Sequence, residues 1–289
     1  MFWEETMDAH IPQRESKISA VSLELKDVQK IFSRLERLVH EEGDREIAKL
    51  TKPKELSPKQ WASRKEEIKK GAFRVTVTLE GENGDRLHGD NEALFQSPNR
   101  PTKISRVYMT NSTAFRWWTK QNPLRSFELH LDFSKPKLLD SENFVSSPTP
   151  NTSNLKIEAD NEFWIAAISE AVIGVVSDKG NSHGFIHRAF VYDAGLFIFG
   201  LPFGLYVAWK LSHAIESTLG TSSSVLAAAA YIYVVLLAVW AYRLLFGYSK
   251  WAFPTMELKE NARSANSHRL FWYAIVVGLI VNFIWEILS

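Results

Sequence analysis

Between Phe127 and Phe133 apolar and polar residues alternate, which sets Glu128, His130 and Asp132 at every second position. On a strand such residues share one face and stand about 6.6 Å apart. A carboxylate, an imidazole and a second carboxylate in one row could hold a divalent cation or move protons. These three are the candidates for catalysis. Metal ligands commonly come from several strands, however, and alternation alone produces a polar row on any half-buried sheet. The expected role is therefore a solvated face. A membrane-tethered, metal-dependent enzyme working on that face is the alternative.

Other chemistry-bearing residues are sparser. His183 and His187 lie four apart and would share a helix face, but no HExxH pattern accompanies them. A juxtamembrane segment using His187 and Arg188 at an interface is the plainer expectation. Glu24-Leu25-Lys26 resembles the ExK element of metal nucleases, yet the upstream Asp8 falls in a polar tail. Trp117-Trp118 could stack a base or a sugar; packing is the commoner use of such a pair. The phosphate-binding GxxxxGK[ST] loop, the GxGxxG turn and the GxSxG elbow are absent, so phosphoryl transfer, dinucleotide chemistry and serine hydrolysis have no support. The chain has no cysteine, which excludes disulfides, thiolate metal sites and a cysteine nucleophile. No cofactor and no bound metal are expected.

The elements that must position these residues can be read in order. Residues 1–17 are polar and unpatterned, and read as a flexible tail without a leader peptide. Residues 18–182 read as one cytosolic α+β domain, a mostly antiparallel sheet with about three helices. Val21, Leu23 and Leu25 alternate as a short strand. Val28, Ile31, Phe32, Leu35, Leu38 and Val39 then form one helical stripe behind Asp27. Ser57-Pro58 starts a second helix, which stops near Gly71. Phe73, Val75, Val77 and Leu79 alternate with polar residues, and Gly81 to Asp85 make a hairpin-type turn. Further strands are expected at Arg86 to His88, Ile104 to Met109, Ser126 to Phe133 and Leu155 to Glu158. Ser141 to Asn154 is a Ser-, Pro- and Thr-rich loop. Asp160 is expected to cap a third helix bearing Trp164, Ile168, Val172 and Val175.

Residues 183–193 form a juxtamembrane segment, and 194–289 are dominated by apolar runs. Three of these, at about 194–211, 224–245 and 270–288, approach the ~20 residues needed to cross ~30 Å of hydrocarbon as helices. The loop between the second and third runs carries Lys250, Lys259, Arg263 and Arg269, whereas the loop between the first and second has only Lys210. The positive-inside rule then places the richer loop and the α+β domain in the cytoplasm, with the C-terminus outside a multi-pass inner or plasma membrane protein. Gly200, Pro202 and Gly204 form a small-residue surface with a kink, suited to close helix packing or to a homo-oligomer contact. Asn282 and Glu286 are the polar exceptions in the third run.

Charge narrows the partners. Lys and Arg number 34 and Asp and Glu 33, and 28 of each lie before Asp193. A neutral α+β domain does not fit broad binding to nucleic acid. The lipid bilayer and an unidentified protein or small-molecule ligand are the expected partners. The layout points to a membrane-anchored sensor whose spans oligomerise, in the manner of membrane-permeabilising effectors such as those of bacterial defence; a passive membrane scaffold for a partner complex is the other reading.

Overall fold

A computed structural model describes residues 12–137, 149, 151–220 and 223–288. Residues 1–11, most of the loop expected at 141–154, residue Ser289 and the side chains of Asn282 and Glu286 lie outside the described residues. The chain divides into two compact units. The first comprises residues 1–134, 151–181 and 256–262; the second comprises 135–150, 182–255 and 263–289.

The first unit is built on a six-stranded antiparallel sheet. Its strands are β1 (Gln13–Lys17), β3 (Thr76–Gly81), β4 (Arg86–Gly89), β5 (Ile104–Thr110), β6 (Ser126–Asp132) and β7 (Asn154–Glu158), in the spatial order β1-β7-β6-β5-β3-β4. Val77, Leu79, Val107, Met109, Leu129, Leu155 and Ile157 are fully buried along one face. Two amphipathic helices, α1 (Leu25–Lys49) and α4 (Glu162–Val176), supply Val28, Ile31, Phe32, Leu35, Ile168 and Val172 to the same core. The helix starts are chemically marked. Glu24 N–H donates to the Asp27 carboxylate at 2.9 Å ahead of α1. At α2 (Pro58–Ala72), Ser57 and Gln60 exchange bonds of 2.9 and 3.3 Å, the reciprocal capping that satisfies two otherwise orphaned donors.

Four expectations need correction. Residues 13–17 are part of the sheet: β1 pairs with β7 along its full length. It is an edge strand whose Arg14, Glu15 and Lys17 keep further strands from adding, and so it lacks the apolar alternation that reveals inner strands. A further helix, α3 (Ser112–Thr119), lies between β5 and β6, so the unit has four α-helices among the described residues. The cap of α4 is Asn161, whose side chain accepts from Phe163 N–H at 2.7 Å; Asp160 turns to Arg125 instead. Lastly, the segment between the second and third apolar runs is not a free loop. It forms β8 (Met256–Leu258), parallel to β2 (Val21–Leu23), with Val21, Ser22 and Leu23 opposite Met256, Glu257 and Leu258.

In the second unit, helices α5 (Ala189–Lys210) and α6 (Ser224–Ala252) are long and apolar enough to cross a membrane. Phe197, Phe199, Phe203, Ile232 and Leu236 are each more than half exposed. A helix in the core of a soluble protein would bury such side chains, whereas lipid would accept them. These two are the candidate spans among the described residues, against an expectation of three. The third apolar run is carried by α7 (Arg263–Leu288), where many of its side chains lie outside the described residues.

Candidate functional site

The polar row of β6 is on one face, as its alternation requires, and each member already has a neighbour. Asp132 accepts from Ser134 N–H at 3.0 Å and from the Thr152 hydroxyl at 2.6 Å, with Arg106 at 3.7 Å. Burial works to raise its pKa, but these hydrogen bonds and Arg106 outweigh burial and hold the carboxyl below the ordinary range. The His130 ring lies 4.5 Å from that of Tyr108, its cross-strand partner, and Glu128 stands opposite Lys156. Burial and the Glu128 carboxylate push the Tyr108 hydroxyl up. A shallow depression of about 330 Å³ lies over Tyr108, His130, Asp132 and Arg106. Among the described residues no three His, Asp or Glu side chains converge as a metal site would require.

The two histidines do not share a helix. His183 begins a single 3-10 turn, His183–Phe185, and His187 precedes α5. His187 is buried with both ring nitrogens engaged: Nε2–H donates to the Phe253 carbonyl at 2.7 Å, and Nδ1 is 2.6 Å from the Thr149 hydroxyl. The carbonyl can only accept, so the neutral ring carries its proton on Nε2 and Nδ1 accepts from Thr149. Burial, with Lys250 nearby, lowers the His187 pKa and favours that neutral form. Glu24 also has a structural role. Hydrogen bonds from Lys26 and Lys259 bring its pKa down to about 2.

A site that no local spacing announced lies where α1, α2, α3 and the loop into β6 meet α4. It is a cavity of about 240 Å³ with Val39, Ala72, Phe73, Phe115, Leu124 and Trp164 in its apolar wall, and Glu42, Glu46 and Arg125 at its polar end. Two helix glycines make room for the aromatic residues around it. A Cβ on Gly43 would stand 2.8 Å from Phe73, and one on Gly71 only 1.9 Å from the Trp118 ring. Phe73 and Phe115 meet edge to face at 5.5 Å. Trp117, by contrast, is exposed, 5.8 Å below the Lys120 ammonium.

Arg125 is the hub of the polar end. Its Nε and Nη2 donate to the two Asp160 oxygens at 2.6 and 3.3 Å, Nη1 donates to Glu42, and Glu46 lies 3.7 Å away. The Arg125 and Glu42 side chains are only 15% and 6% exposed. Burial raises the Glu42 pKa, Arg125 opposes that rise, and the adjacent Glu46 adds to it; the net direction is up. Glu42 Oε2 and Trp164 Nε1 are both buried without a hydrogen-bond partner. The nearest cation to Glu42 Oε2, besides Arg125, is Arg45 at 3.7 Å.

In the second unit the glycines of α5 lie against α6 of the same chain. A Cβ on Gly204 would be 3.1 Å from that of Ala238, and one on Gly200 3.1 Å from Tyr242. A π-helical turn, Leu196–Gly200, ends two residues before Pro202, where the missing backbone N–H interrupts regular α-helical bonding. Comparison with family models, with curated proteins and with solved structures finds no match to this chain.

Proposed function

We propose that this chain is a membrane-anchored sensor: the α+β unit binds a ligand and passes the event to membrane-embedded helices through β8. The observation that carries this reading is the β2–β8 pairing. Three residues separate the end of α6 from β8, and four separate β8 from the start of α7. Whatever moves β2 therefore pulls directly on the ends of both helices. The attachment is firm for a physical reason. Met256 and Leu258 are 3% and 2% exposed, and full burial of such side chains contributes about 1.5–3 kcal/mol each. The polar ties, Lys259 to Glu24 at 2.9 Å, Leu25 N–H to Glu260 at 2.9 Å and Asn261 to the Ile104 carbonyl at 2.7 Å, fix the register. The Lys259–Glu24 pair is exposed, so solvent screens it and it sets register more than it adds stability.

In this reading α7 completes three spans, and the charged segment between α6 and α7 shares the cytoplasmic side with the α+β unit, as its lysines and arginines favour. The C-terminus lies outside. Apolar side chains projecting from α5 and α6 meet lipid or a second copy, and rearranging them permeabilises the bilayer. Docked β8 holds the helices at rest. The test is ion leakage from cells producing equal amounts of the wild-type chain and of Met256→Asp/Leu258→Asp, which undocks β8. Leakage is expected to rise in the variant. Background leakage in both, with both inserted in the membrane, overturns the permeabilising role.

A further inference from the structure

The cavity beside Arg125 has the composition of a ligand site, and its unfilled valences indicate what the ligand carries. Inside it, Glu42 and Glu46 both face one guanidinium that is itself turned toward Asp160, and Glu46 also accepts from Lys49 Nζ at 2.6 Å. The other cations in reach are in water: Arg45 and Lys49 are 54% and 63% exposed, so solvent screens what they offer. The polar end is thus short of positive charge. Glu42 Oε2 lacks a donor, and Trp164 Nε1, on a residue 4% exposed, lacks an acceptor. Both side chains line the cavity. A buried polar group without a partner is costly and uncommon, and a bound molecule that supplies the partner recovers that cost. The remaining wall is apolar and aromatic, which suits a ring and also favours a nearby cation through the ring faces.

We propose that this cavity binds a small aromatic amine: a ring against Phe73 and Phe115, an ammonium donating to Glu42, and a carbonyl or hydroxyl oxygen accepting from Trp164 Nε1–H. Size agrees. An apolar cavity of about 150 Å³ accepts benzene, so about 240 Å³ accommodates one ring with a short polar arm. Anionic ligands are disfavoured, because Arg125 is already committed and two carboxylates face the site. The proposal names the ligand of the sensor reading and rests on that reading only for what binding is for.

Isothermal titration calorimetry on the full-length chain in mild detergent tests it with three probes. Phenylalaninamide carries the ring, the ammonium and the carbonyl; phenethylamine lacks the carbonyl; N-acetylphenylalanine is an anion. Phenylalaninamide is expected to bind one to one, phenethylamine more weakly, and N-acetylphenylalanine not at all. Glu42→Gln should weaken phenylalaninamide by about tenfold or more, the worth of a charge-assisted hydrogen bond. Trp164→Phe should reduce phenylalaninamide to the affinity of phenethylamine. Leu124→Trp, which adds bulk to the apolar wall, should abolish binding of both amines. Saturable binding of the anion as tight as that of the amide, or no saturable binding of either amine, overturns the proposal. So does unchanged affinity in Glu42→Gln; if that variant does not fold, unchanged affinity in Leu124→Trp has the same force. Binding that follows the expected pattern while leakage stays at background keeps the site and removes the sensor role. No binding in a chain whose leakage responds to β8 release does the reverse.

Discussion

Replacing Arg125 with methionine isolates the electrostatics of the cavity's polar end. The side chain is 15% exposed and bonded to Glu42 and Asp160, with Glu46 3.7 Å away. Methionine keeps the packing of the stem and removes only the cation. The carboxylates remain, and Glu42, at 6% exposure, is left with Arg45 at 3.7 Å as its nearest counter-charge. Breaking a buried pair from one side costs about 3–5 kcal/mol. The lower end applies here, since Asp160 is half exposed and can turn to water. With a urea m-value of about 2 kcal/mol/M, a loss of about 3 kcal/mol moves the midpoint down by about 1.5 M. The pH dependence has a definite sign. Glu42 already titrates above its unfolded value, so the folded chain holds that proton more tightly than the unfolded chain does. Its contribution falls as pH rises through the window above the ordinary carboxylate range. Removing Arg125, which opposes the rise, pushes Glu42 higher still. The deficit against wild type is therefore largest at neutral pH and shrinks toward pH 5 as protons replace the lost cation. Glu42→Gln in the Arg125→Met background should restore part of it at pH 7. Pulse proteolysis in urea on the full-length chain reads all of these. A deficit under about 1 kcal/mol, or one that does not change between pH 5 and pH 8, would refute the buried-hub argument.

Gly71→Ala should cost about 1–2 kcal/mol: overpacking against the Trp118 ring exceeds what alanine returns in helix propensity. The cost should disappear in the Trp118→Ala background, which a double-mutant cycle measures. Alanine at Glu128, His130 and Asp132 together should leave a folded chain with unchanged leakage, read by proteolysis and ion flux. Asp132→Asn alone should lower stability by about 1 kcal/mol at neutral pH. Because the folded pKa of Asp132 is depressed, that deficit should fade only as pH drops below the usual carboxylate range.

The inner strands and the two core helices were legible because one buried face leaves a period in the residues. Val77 and Leu79, or Ile31, Phe32 and Leu35, are buried where their spacing placed them. β1 was not legible, since an edge strand covered in Arg, Glu and Lys carries no apolar period. β8 is three residues long, shorter than any period, and forms only because β2 offers it an edge. The eight residues of α3 are too few to form a stable helix alone; the packing of Trp118 against Gly71 gives them a place. The cavity was invisible for a further reason. Glu42, Phe73, Phe115, Arg125 and Trp164 come from four helical regions and a loop, and only folding brings them to one wall. The row Glu128, His130 and Asp132 was easy to see because a single strand creates it, and a single strand keeps its members apart.

The sensor function depends most on the segment joining α6 to α7 being held in the α+β unit. The chain has no cysteine of its own, so Ser22→Cys with Glu257→Cys, which face each other across β2 and β8, can be oxidised without competing thiols in native membranes. Thr78→Cys with His88→Cys, partners across the β3–β4 hairpin, controls for the oxidant. The β2–β8 pair is expected to cross-link as completely as the control. Free, maleimide-reactive thiols at both positions, under conditions where the hairpin pair is fully oxidised, would contradict it.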